Sequence, residues 1–576
     1  MTPSTGRDHS PNRHTLEQQP QGKRVAAGGE WSADGDATFP WRLALSATLA
    51  GLAVAFLRLL GASGFSNDHF FYLSRASQFL TGARPVRDFV DPGFPLQWAL
   101  SAGVQAIGGQ TLLPEAILVA AAYGVSAALT LWMLTRWHLP AWLALWAVFV
   151  EVAVLPRTYS YPKVLAYVIA ALAILHYARK PSTKGLLSLS FVAVIAFLFR
   201  HDHGLYVGAA VCLIVAAPVL GQPRLVARRM MTLVGTVALA LAPYLGYVAA
   251  SGGLTGYFAA GVHFSEREAG RTLVAWPWVG DGPMWSVEGL SALAFYALWI
   301  TPILALAMAW NARGLDRPSR WTVTALVVMA ACVNAGFLRD PLTYRVSDAV
   351  VPFALLGAWI ASRAWNVGGD GTTSRRLARG TAVVFALVIA AAAAKIGNLP
   401  ETLKRAELVR LPPRPQARWD TVVTELRDRY AERQMPSDLS FALVPFYRYL
   451  DACTPPEARI LVTGFAPEVA YYARRGFAGG HPSLYRGYYS SDRDQREIVE
   501  RLERELVLFV VASPEGVEQF ASSFPLVNAF VSAHFVPLSD FAVDGVSVPA
   551  RVYVHRGFAS AQQFEGTAWP CPGAHL

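Results

Sequence analysis

The sequence predicts a polytopic α-helical membrane protein followed by a small α/β domain. Of its 576 residues, 53% are hydrophobic and only 16% are charged, and the mean hydropathy is +0.32. Apolar runs long enough to cross about 30 Å of hydrocarbon recur from residue 41 to about residue 396, whereas residues 397–576 return to a mixed, charged composition. So apolar a surface excludes a purely soluble protein.

The first 38 residues are rich in Gly, Pro, His, Gln and Asp and poor in apolar side chains. Such a segment cannot bury enough surface to fold, so residues 1–38 are predicted to form a disordered tail. The first apolar run begins at Trp41 and is long enough to span a membrane. We therefore expect it to remain as an anchor and not to be cleaved as a signal peptide.

About eleven apolar runs are predicted to cross the membrane. They are 41–60, 112–135, 140–155, 161–178, 184–200, 204–220, 229–250, 289–309, 320–338, 345–362 and 378–396. A further run, 95–107, is interpreted as a helix that lies in the membrane interface within the first outer loop. Counting it as a crossing would place the basic loops outside, against the positive-inside tendency.

The charges of the short loops set the expected orientation. Five of these loops contain only two acids, Asp316 and Asp370, against many bases. These bases are Arg136, Arg179, Lys180, Lys184, Arg224, Arg228, Arg229, Arg313, Arg317, Arg320, Arg363, Arg375, Arg376 and Arg379. The loops are therefore predicted to be cytoplasmic, with a cytoplasmic N-terminus and an extracytoplasmic C-terminal domain in a plasma (inner) membrane protein.

Unusual polar residues gather in the loops on the opposite side. They are Asp68, His69, Arg157, Lys163, Arg200, His201, Asp202, His203, Arg339, Asp340, Tyr344 and Arg345. Ionisable groups at membrane depth usually line a cavity, so these residues predict a shared cleft that opens to the outside.

The first outer loop carries an ordered series of residues between two apolar helices. The series is Asp68 followed by aromatic residues, Arg75, Gly82, Pro85, Asp88-Phe89, Pro92 and Pro95-Leu96. It resembles the first outer loop of the GT-C superfamily, membrane glycosyltransferases such as protein O-mannosyltransferases and lipid A aminoarabinose transferases. The resemblance implies a GT-C-like fold over nearly the whole chain after residue 40. It also implies a polyprenyl-phosphate-linked sugar donor.

The same resemblance implies that Asp68 is the general base that deprotonates the acceptor hydroxyl, with inversion at the anomeric carbon. The structural alternative is that Asp68 caps a helix N-terminus. Asp88 is the second catalytic candidate, although it could instead hold the loop by pairing with an arginine. Asp91, which precedes a proline, is interpreted as a turn residue.

Cations and polar groups complete the predicted site. The candidates for binding the donor phosphate are Arg157, Lys163, Arg200, Arg339 and Arg345. Their structural alternative is that they anchor helix ends at the interface. Three further residues, His69, Asp202 and Tyr344, are candidates for binding substrate, and Asp202 could also orient Arg200.

No cofactor is predicted to be required. His201 and His203 are two residues apart, which suits a shared metal only in extended backbone, and the paired acids of metal-dependent GT-C members are replaced by Asn67-Asp68-His69. A divalent metal is thus left as an open alternative.

The expected partners are the lipid-linked donor, a glycan, lipid or protein acceptor, and membrane lipids, with no nucleic acid.

Residues 397–576 alternate strand-like and helical segments, with strands expected near 459–464, 507–512, 535–541 and 548–555. Cys453 and Cys571 both fall in this domain, and an oxidising compartment would permit them to form a disulfide. The loop from Ser251 to Glu288 shows little regular pattern and is predicted to be a mobile cover over the cleft.

Two other functions are compatible with many membrane helices. A transporter or flippase of lipid-linked saccharides would show internal repeats and broken spans in corresponding halves, and no clear repeat is found. A non-catalytic scaffold that binds an envelope partner would give no account of the clustered outer acids and bases. The sequence therefore favours a glycosyltransferase.

Overall fold

A computed structural model describes residues 41–270, 277, 283–312, 314–338, 343–366, 372–409, 412, 414–436, 438–512, 517–538, 542–543, 546–547, 551–558, 569 and 571. The tail predicted over residues 1–38 lies outside these residues. Helices dominate the chain up to residue 396, and a mixed α/β domain follows.

The described residues from 41 to 396 form a bundle of fourteen α-helices. They are α1 (Trp41–Leu60), α2 (Asn67–Leu80), α3 (Pro95–Gly108), α4 (Leu112–Arg136), α5 (Ala141–Ala153), α6 (Tyr161–Arg179), α7 (Thr183–Phe199), α8 (His201–Ala216), α9 (Pro223–Ser251), α10 (Leu254–Gly270), α11 (Val287–Asn311), α12 (Arg317–Leu338), α13 (Val350–Asn366) and α14 (Thr372–Ile396).

Every predicted crossing coincides with one of these helices. Among the described residues, eight helices are long and apolar enough to cross a membrane, and the apolar α5 and α7 are shorter. The eight are α1, α4, α6, α8, α9, α11, α13 and α14. A multi-pass membrane protein is thereby confirmed, although the eight long helices are fewer than the eleven crossings predicted.

The short helix α3 corresponds to the apolar run 95–107, which the charges of the loops indicated was not a crossing. Its 14 residues give a length of about 21 Å, which is less than the thickness of the hydrocarbon core. Together with α2 it forms the connection between α1 and α4. The prediction that residues 95–107 do not cross agrees with this length.

Two glycines allow α1 and α4 to approach closely. A Cβ atom on Gly51 would lie 2.6 Å from the carbonyl oxygen of Gly124, and a Cβ on Gly124 would lie equally close to the oxygen of Gly51. Small residues at a helix crossing let two backbones pack against each other in a membrane. This contact packs the middle of α1 against the middle of α4.

The C-terminal domain contains a five-stranded sheet in the order β2-β1-β3-β7-β4. The pairs β2–β1 and β1–β3 are parallel, whereas β7 is antiparallel to both β3 and β4. The strands are β1 (Arg459–Thr463), β2 (Gly476–Phe477), β3 (Val507–Ala512), β4 (Phe535–Pro537), β5 (Ala542–Val543), β6 (Val546–Ser547) and β7 (Arg551–His555). The α/β domain predicted from the sequence is therefore present, with a mixed sheet.

In the described part of this domain, eight α-helices accompany the strands. They are α15 (Leu399–Arg405), α16 (Pro415–Arg427), α17 (Asp438–Ala442), α18 (Val444–Cys453), α19 (Glu468–Ala473), α20 (Asp492–Leu502), α21 (Val517–Ser523) and α22 (Pro525–His534). Cys453, at the end of α18, forms a disulfide with Cys571, which follows it by 118 residues in the sequence.

The helix α2 is attached to this domain along its length. The hydroxyl of Ser74 donates to the carbonyl oxygen of Pro467 at 2.7 Å. The side-chain amide of Gln78 accepts from the N–H of Phe477 at 2.9 Å and donates to its carbonyl oxygen at 3.4 Å. Phe70 packs against Tyr471 and Tyr472 of α19. The domain and α2 therefore form one packed unit.

Candidate active site at the start of α2

Asp68 lies in the first turn of α2, where its side chain is 41% exposed. The N-cap position is occupied by Ser66, and no side chain caps this helix by hydrogen bonding. The capping alternative for Asp68 is therefore not what the structure shows. Instead, Oδ2 of Asp68 lies 3.6 Å from a guanidinium nitrogen of Arg157.

The backbone around Arg157 is held from the membrane side. Arg157 precedes a 3₁₀ helix, Thr158–Ser160. The hydroxyl of Tyr123 donates to the carbonyl oxygen of Arg157 at 2.7 Å, and Arg58 donates to the carbonyl oxygen of Pro156 at 2.6 Å. Two side chains from α1 and α4 thus fix the position of the residue that faces Asp68.

Lys163 begins α6 and is largely buried. Its ammonium group donates to Oδ2 of Asp348 at 2.6 Å, and the hydroxyl of Ser160 donates to the other oxygen of the same carboxylate at 2.7 Å. Asp348 was not predicted as a site residue. Its sequence signal was a carboxylate inside the first turn of a predicted crossing, three residues after Arg345.

Arg200 lies between α7 and α8 and pairs with Asp202. Its Nε donates to both carboxylate oxygens of Asp202, at 2.8 and 3.0 Å. Burial alone would lower the pKa of Arg200, but the Asp202 carboxylate outweighs burial and raises it. The prediction that Asp202 orients Arg200 is confirmed, and within the described chain the two terminal nitrogens of Arg200 have no hydrogen-bond partner.

The hydroxyl of Tyr72 lies near two of these charged groups, Asp68 and Arg200. Burial raises the pKa of Tyr72 to about 12; the charge of Arg200 opposes this rise, and the charge of Asp68 adds to it. Tyr72 lies one turn after Asp68 on α2, so its protonated hydroxyl is available as a hydrogen-bond donor near the same cleft. Arg157, which pairs with Asp68, and Lys163 lie 5.9 and 5.5 Å from the centroid of the Tyr159 ring, so these charged groups are near one another.

His69, a predicted substrate-binding residue, is buried in the protein interior. Its Nε2 lies 2.8 Å from Oε1 of Glu115, and that oxygen also accepts from the hydroxyl of Ser101. Both His69 and Glu115 are fully buried. In this structure His69 therefore holds α2 against α4 and does not face the cleft that Asp68 faces.

Asp88, the second catalytic candidate, holds its own loop. Its carboxylate accepts from Nε and a terminal nitrogen of Arg87 and from the backbone N–H of Arg84, at 2.7, 2.8 and 2.7 Å. Burial raises the pKa of Asp88, but these hydrogen bonds outweigh it and the net effect is a lowered pKa. The alternative of pairing with an arginine is thus the one that the structure shows. No described contact joins Asp88 to Asp68.

Asp91 is buried and uses both of its oxygens. Oδ1 accepts from the backbone N–H groups of Gly93 and Phe94, at 3.0 and 2.9 Å, which confirms the predicted turn role. Oδ2 accepts from the hydroxyl of Tyr244 at 3.0 Å and lies 3.4 Å from that of Tyr257. Asp91 thus ties the first loop to α9 and α10.

The remaining predicted site residues lie in several different parts of the chain. Arg345 lies in a 3₁₀ helix, Thr343–Ala349, that also carries Asp348. Arg339 and the side chain of Tyr344 lie outside the described residues. His201 and His203 occur in the first turn of α8, where a spacing of two directs them to different sides. Among the described residues, no group of three or more His, Cys, Asp or Glu side chains could share a metal ion.

Part of the predicted cover is a regular helix, α10. The hydroxyl of Tyr257 lies 3.2 Å from Nε2 of His201, and Phe264 packs edge-on against Phe94. At its other end, Arg267 donates to Asp494 of the C-terminal domain at 2.7 Å. The helix therefore joins α8, the first loop and the C-terminal domain, so this part of the predicted cover is regular in structure and held at both ends.

Comparison with known proteins identifies the fold. No protein-family model matches the sequence, and no curated protein matches it significantly. The chain is similar to the crystal structure of ArnT from Cupriavidus metallidurans bound to undecaprenyl phosphate, with a TM-score of 0.51 and 11% identity over 89% of this chain and 98% of that chain. The apo state of that protein matches with a TM-score of 0.49 and 12% identity over the same shares, which adds nothing further. The chain therefore has an ArnT-like fold, which agrees with the GT-C-like fold expected from its first loop.

Proposed function

We propose that this protein is a membrane glycosyltransferase that moves a sugar from a polyprenyl-phosphate donor to an acceptor hydroxyl, with Asp68 as the general base. The observation that carries the proposal is the exposed carboxylate of Asp68, 3.6 Å from Arg157, whose guanidinium lies over the same Tyr159 ring as the ammonium group of Lys163. The GT-C fold supports it, as does the undecaprenyl phosphate bound to the similar structure.

The reaction needs one proton acceptor. As the acceptor oxygen bonds to the anomeric carbon, its hydroxyl becomes acidic, and the Asp68 carboxylate takes the proton. The bond between the anomeric carbon and the phosphate oxygen breaks on the opposite face, and its electron pair stays with the phosphate. A single displacement of this kind inverts the anomeric centre. No general acid is needed because a phosphate is already a good leaving group.

The cations stabilise the departing phosphate. A sugar phosphodiester carries one negative charge, and the released lipid phosphate carries more, so fixed positive groups bind the transition state and product more strongly than the ground state. The terminal nitrogens of Arg200 form a planar fork suited to two phosphate oxygens. Lys163, Arg157, Arg345 and Arg339 are the further candidates.

The proposed orientation places the site and the C-terminal domain outside the cytoplasm. The basic short loops support it, because Lys and Arg are enriched in cytoplasmic loops. The bond between Cys453 and Cys571 also supports it, because disulfides form in oxidising compartments. Protease added to intact cells should then cleave the C-terminal domain, and full protection would contradict this orientation.

The direct test is an assay of the purified protein in lipid nanodiscs with a panel of polyprenyl-phosphate sugars and the Asp68→Asn variant as a negative control. We expect release of polyprenyl phosphate and a product of inverted anomeric configuration, read by NMR. A retained configuration would contradict the single displacement. Transport of the intact donor across proteoliposomes without sugar transfer would instead identify a flippase.

A further inference from the structure

Three aromatic rings meet beside the proposed base, at the junction of α2 and the C-terminal domain. Phe71 lies on α2, Phe465 on the turn after β1, and Tyr485 on the segment that follows β2. Their ring centroids are 5.5 Å apart for Phe71 and Phe465, 6.0 Å for Phe71 and Tyr485, and 5.1 Å for Phe465 and Tyr485. We call these three rings the aromatic platform.

The platform is partly open to solvent. Phe465 is 41% exposed, and Phe71 and Tyr485 are partly exposed. Phe71 follows Asp68 by three residues, so both side chains lie on the same face of α2. A ligand resting on the ring of Phe71 would therefore lie on the face of α2 that carries Asp68.

The fold holds the platform rigidly. Ser74 and Gln78 fasten α2 to the turns that precede and follow α19. Gly464 has a φ of 94°, a conformation that favours glycine, and this turn presents Phe465. A large apolar ring kept exposed by a fixed turn has no role in the core, which points to a role in binding.

The chemistry of the surroundings favours a sugar ring over an extended peptide. A peptide would add a strand to a free sheet edge, but at the edge near α2 the N–H and C=O of Phe477 are both bonded to Gln78. On the other side of the turn, the N–H of Gly464 donates to Leu484 at 2.6 Å. Half-exposed aromatic faces remain, and their negative π surface attracts the polarised C–H face of a sugar.

We infer that the aromatic platform is the acceptor subsite and that the acceptor is a glycan, whose sugar ring stacks on Phe465 and Tyr485 while its hydroxyl is directed to Asp68. This inference rests on the proposed function. It adds the class of acceptor, which the resemblance of the first loop left open among glycan, lipid and protein.

Binding can be measured without turnover. Linear mannan, galactan, arabinan and glucan tetrasaccharides would be titrated into the full-length protein in nanodiscs and followed by saturation-transfer NMR. We expect at least one to bind, with an affinity reduced about tenfold by Phe465→Ala and restored by Phe465→Trp. The matched control is Phe441→Ala, because Phe441 is 43% exposed in the same domain and lies outside the platform. Failure of every tetrasaccharide to bind, or an equal loss in the control, would overturn the inference.

Transfer kinetics separate this inference from the proposed function. With a tetrasaccharide that binds, Phe465→Ala should raise the acceptor KM about tenfold and Phe441→Ala should leave it unchanged, whereas Asp68→Asn should keep glycan affinity and lose transfer. Transfer to a serine peptide or a lipid hydroxyl, without glycan binding, overturns the platform and leaves the transferase. Glycan binding with no transfer from any donor overturns the transferase and leaves the platform.

Discussion

The first turn of α2 and the loop at 81–94 both carry acids from one short stretch of sequence, yet they use them differently. In the loop, the oxygens of Asp88 and Asp91 are engaged by Arg87, by backbone amides and by tyrosine hydroxyls. In the helix, the described contacts of Asp68 consist of one ion pair with Arg157 at 3.6 Å. An acid whose oxygens are not needed by the fold is the one available for chemistry.

The largest effect that follows from this contrast concerns Asp68. Asp68→Asn keeps the shape of the side chain but cannot accept the acceptor proton, so turnover should fall by about 10²–10⁴-fold. Affinity for the donor should change little, because the cations are unaffected. Initial rates and donor binding by native mass spectrometry would measure both. A variant that turns over at the parental rate would remove Asp68 as the base.

Asp91→Ala tests the loop acid whose two oxygens both accept hydrogen bonds within the fold. The change leaves two backbone amides and the hydroxyl of Tyr244 without an acceptor, so the free energy of unfolding should fall by about 2–3 kcal/mol. Thermal unfolding in detergent would show a lower Tm, with Asp88→Ala as the control of matched type. Equal Tm values for the two variants would show that the Asp91 contacts contribute little.

Arg200→Lys examines the cations around Asp68. Lysine keeps the charge but loses the planar fork, so we expect the donor KM to rise about tenfold. The same substitution at Arg493, which forms an exposed pair with Glu497 on α20, should leave KM unchanged. A donor KM unaffected by Arg200→Lys would assign phosphate binding to the other cations.

The smallest effect is expected for Asp88→Asn. Because its folded-state pKa is lowered, Asp88 contributes stability above the unfolded pKa of about 4 and loses it as pH falls through the lower folded value. The Asp88 side chain is 24% exposed and its partner Arg87 is 51% exposed, so solvent screens the pair and the contribution at pH 7 is below about 1 kcal/mol. Tm measured from pH 7 to pH 3 should differ slightly between parent and variant at pH 7 and converge at low pH. A large loss of turnover would return Asp88 to the catalytic site.

Hydropathy predicted the membrane helices well because one local property, a long apolar run, determines them. The run at 95–107 was assigned through charge balance, and α3 has the length that this assignment requires. The helix α10 was missed because His263, Glu266 and Arg267 interrupt its apolar pattern, while its contacts come from distant parts of the chain. The antiparallel β7 was likewise beyond local patterns, since strand direction depends on connections.

Within the site, the sequence could identify the charged residues but not their partners. Asp348 pairs with Lys163 across 185 positions, a distance that no local motif covers. His69 and Asp68 are adjacent in sequence, yet a helix turns neighbouring side chains by about 100°, so one enters the core and the other faces the cleft. Asp68 and His69 were predicted to line the same cleft, but their side chains point in different directions.

The composition divides the chain into an apolar helical part and a charged C-terminal domain, but the attachment of α2 to that domain means that the two parts are not independent modules. The residue proposed to activate the acceptor sits on a helix whose later turns bond to Pro467 and Phe477, almost four hundred positions away. A truncated chain that ends after the membrane helices would retain Asp68 but lose the surface that sets its direction. The hydrophilic domain is, in this sense, a structural half of the membrane protein and not an appendage to it.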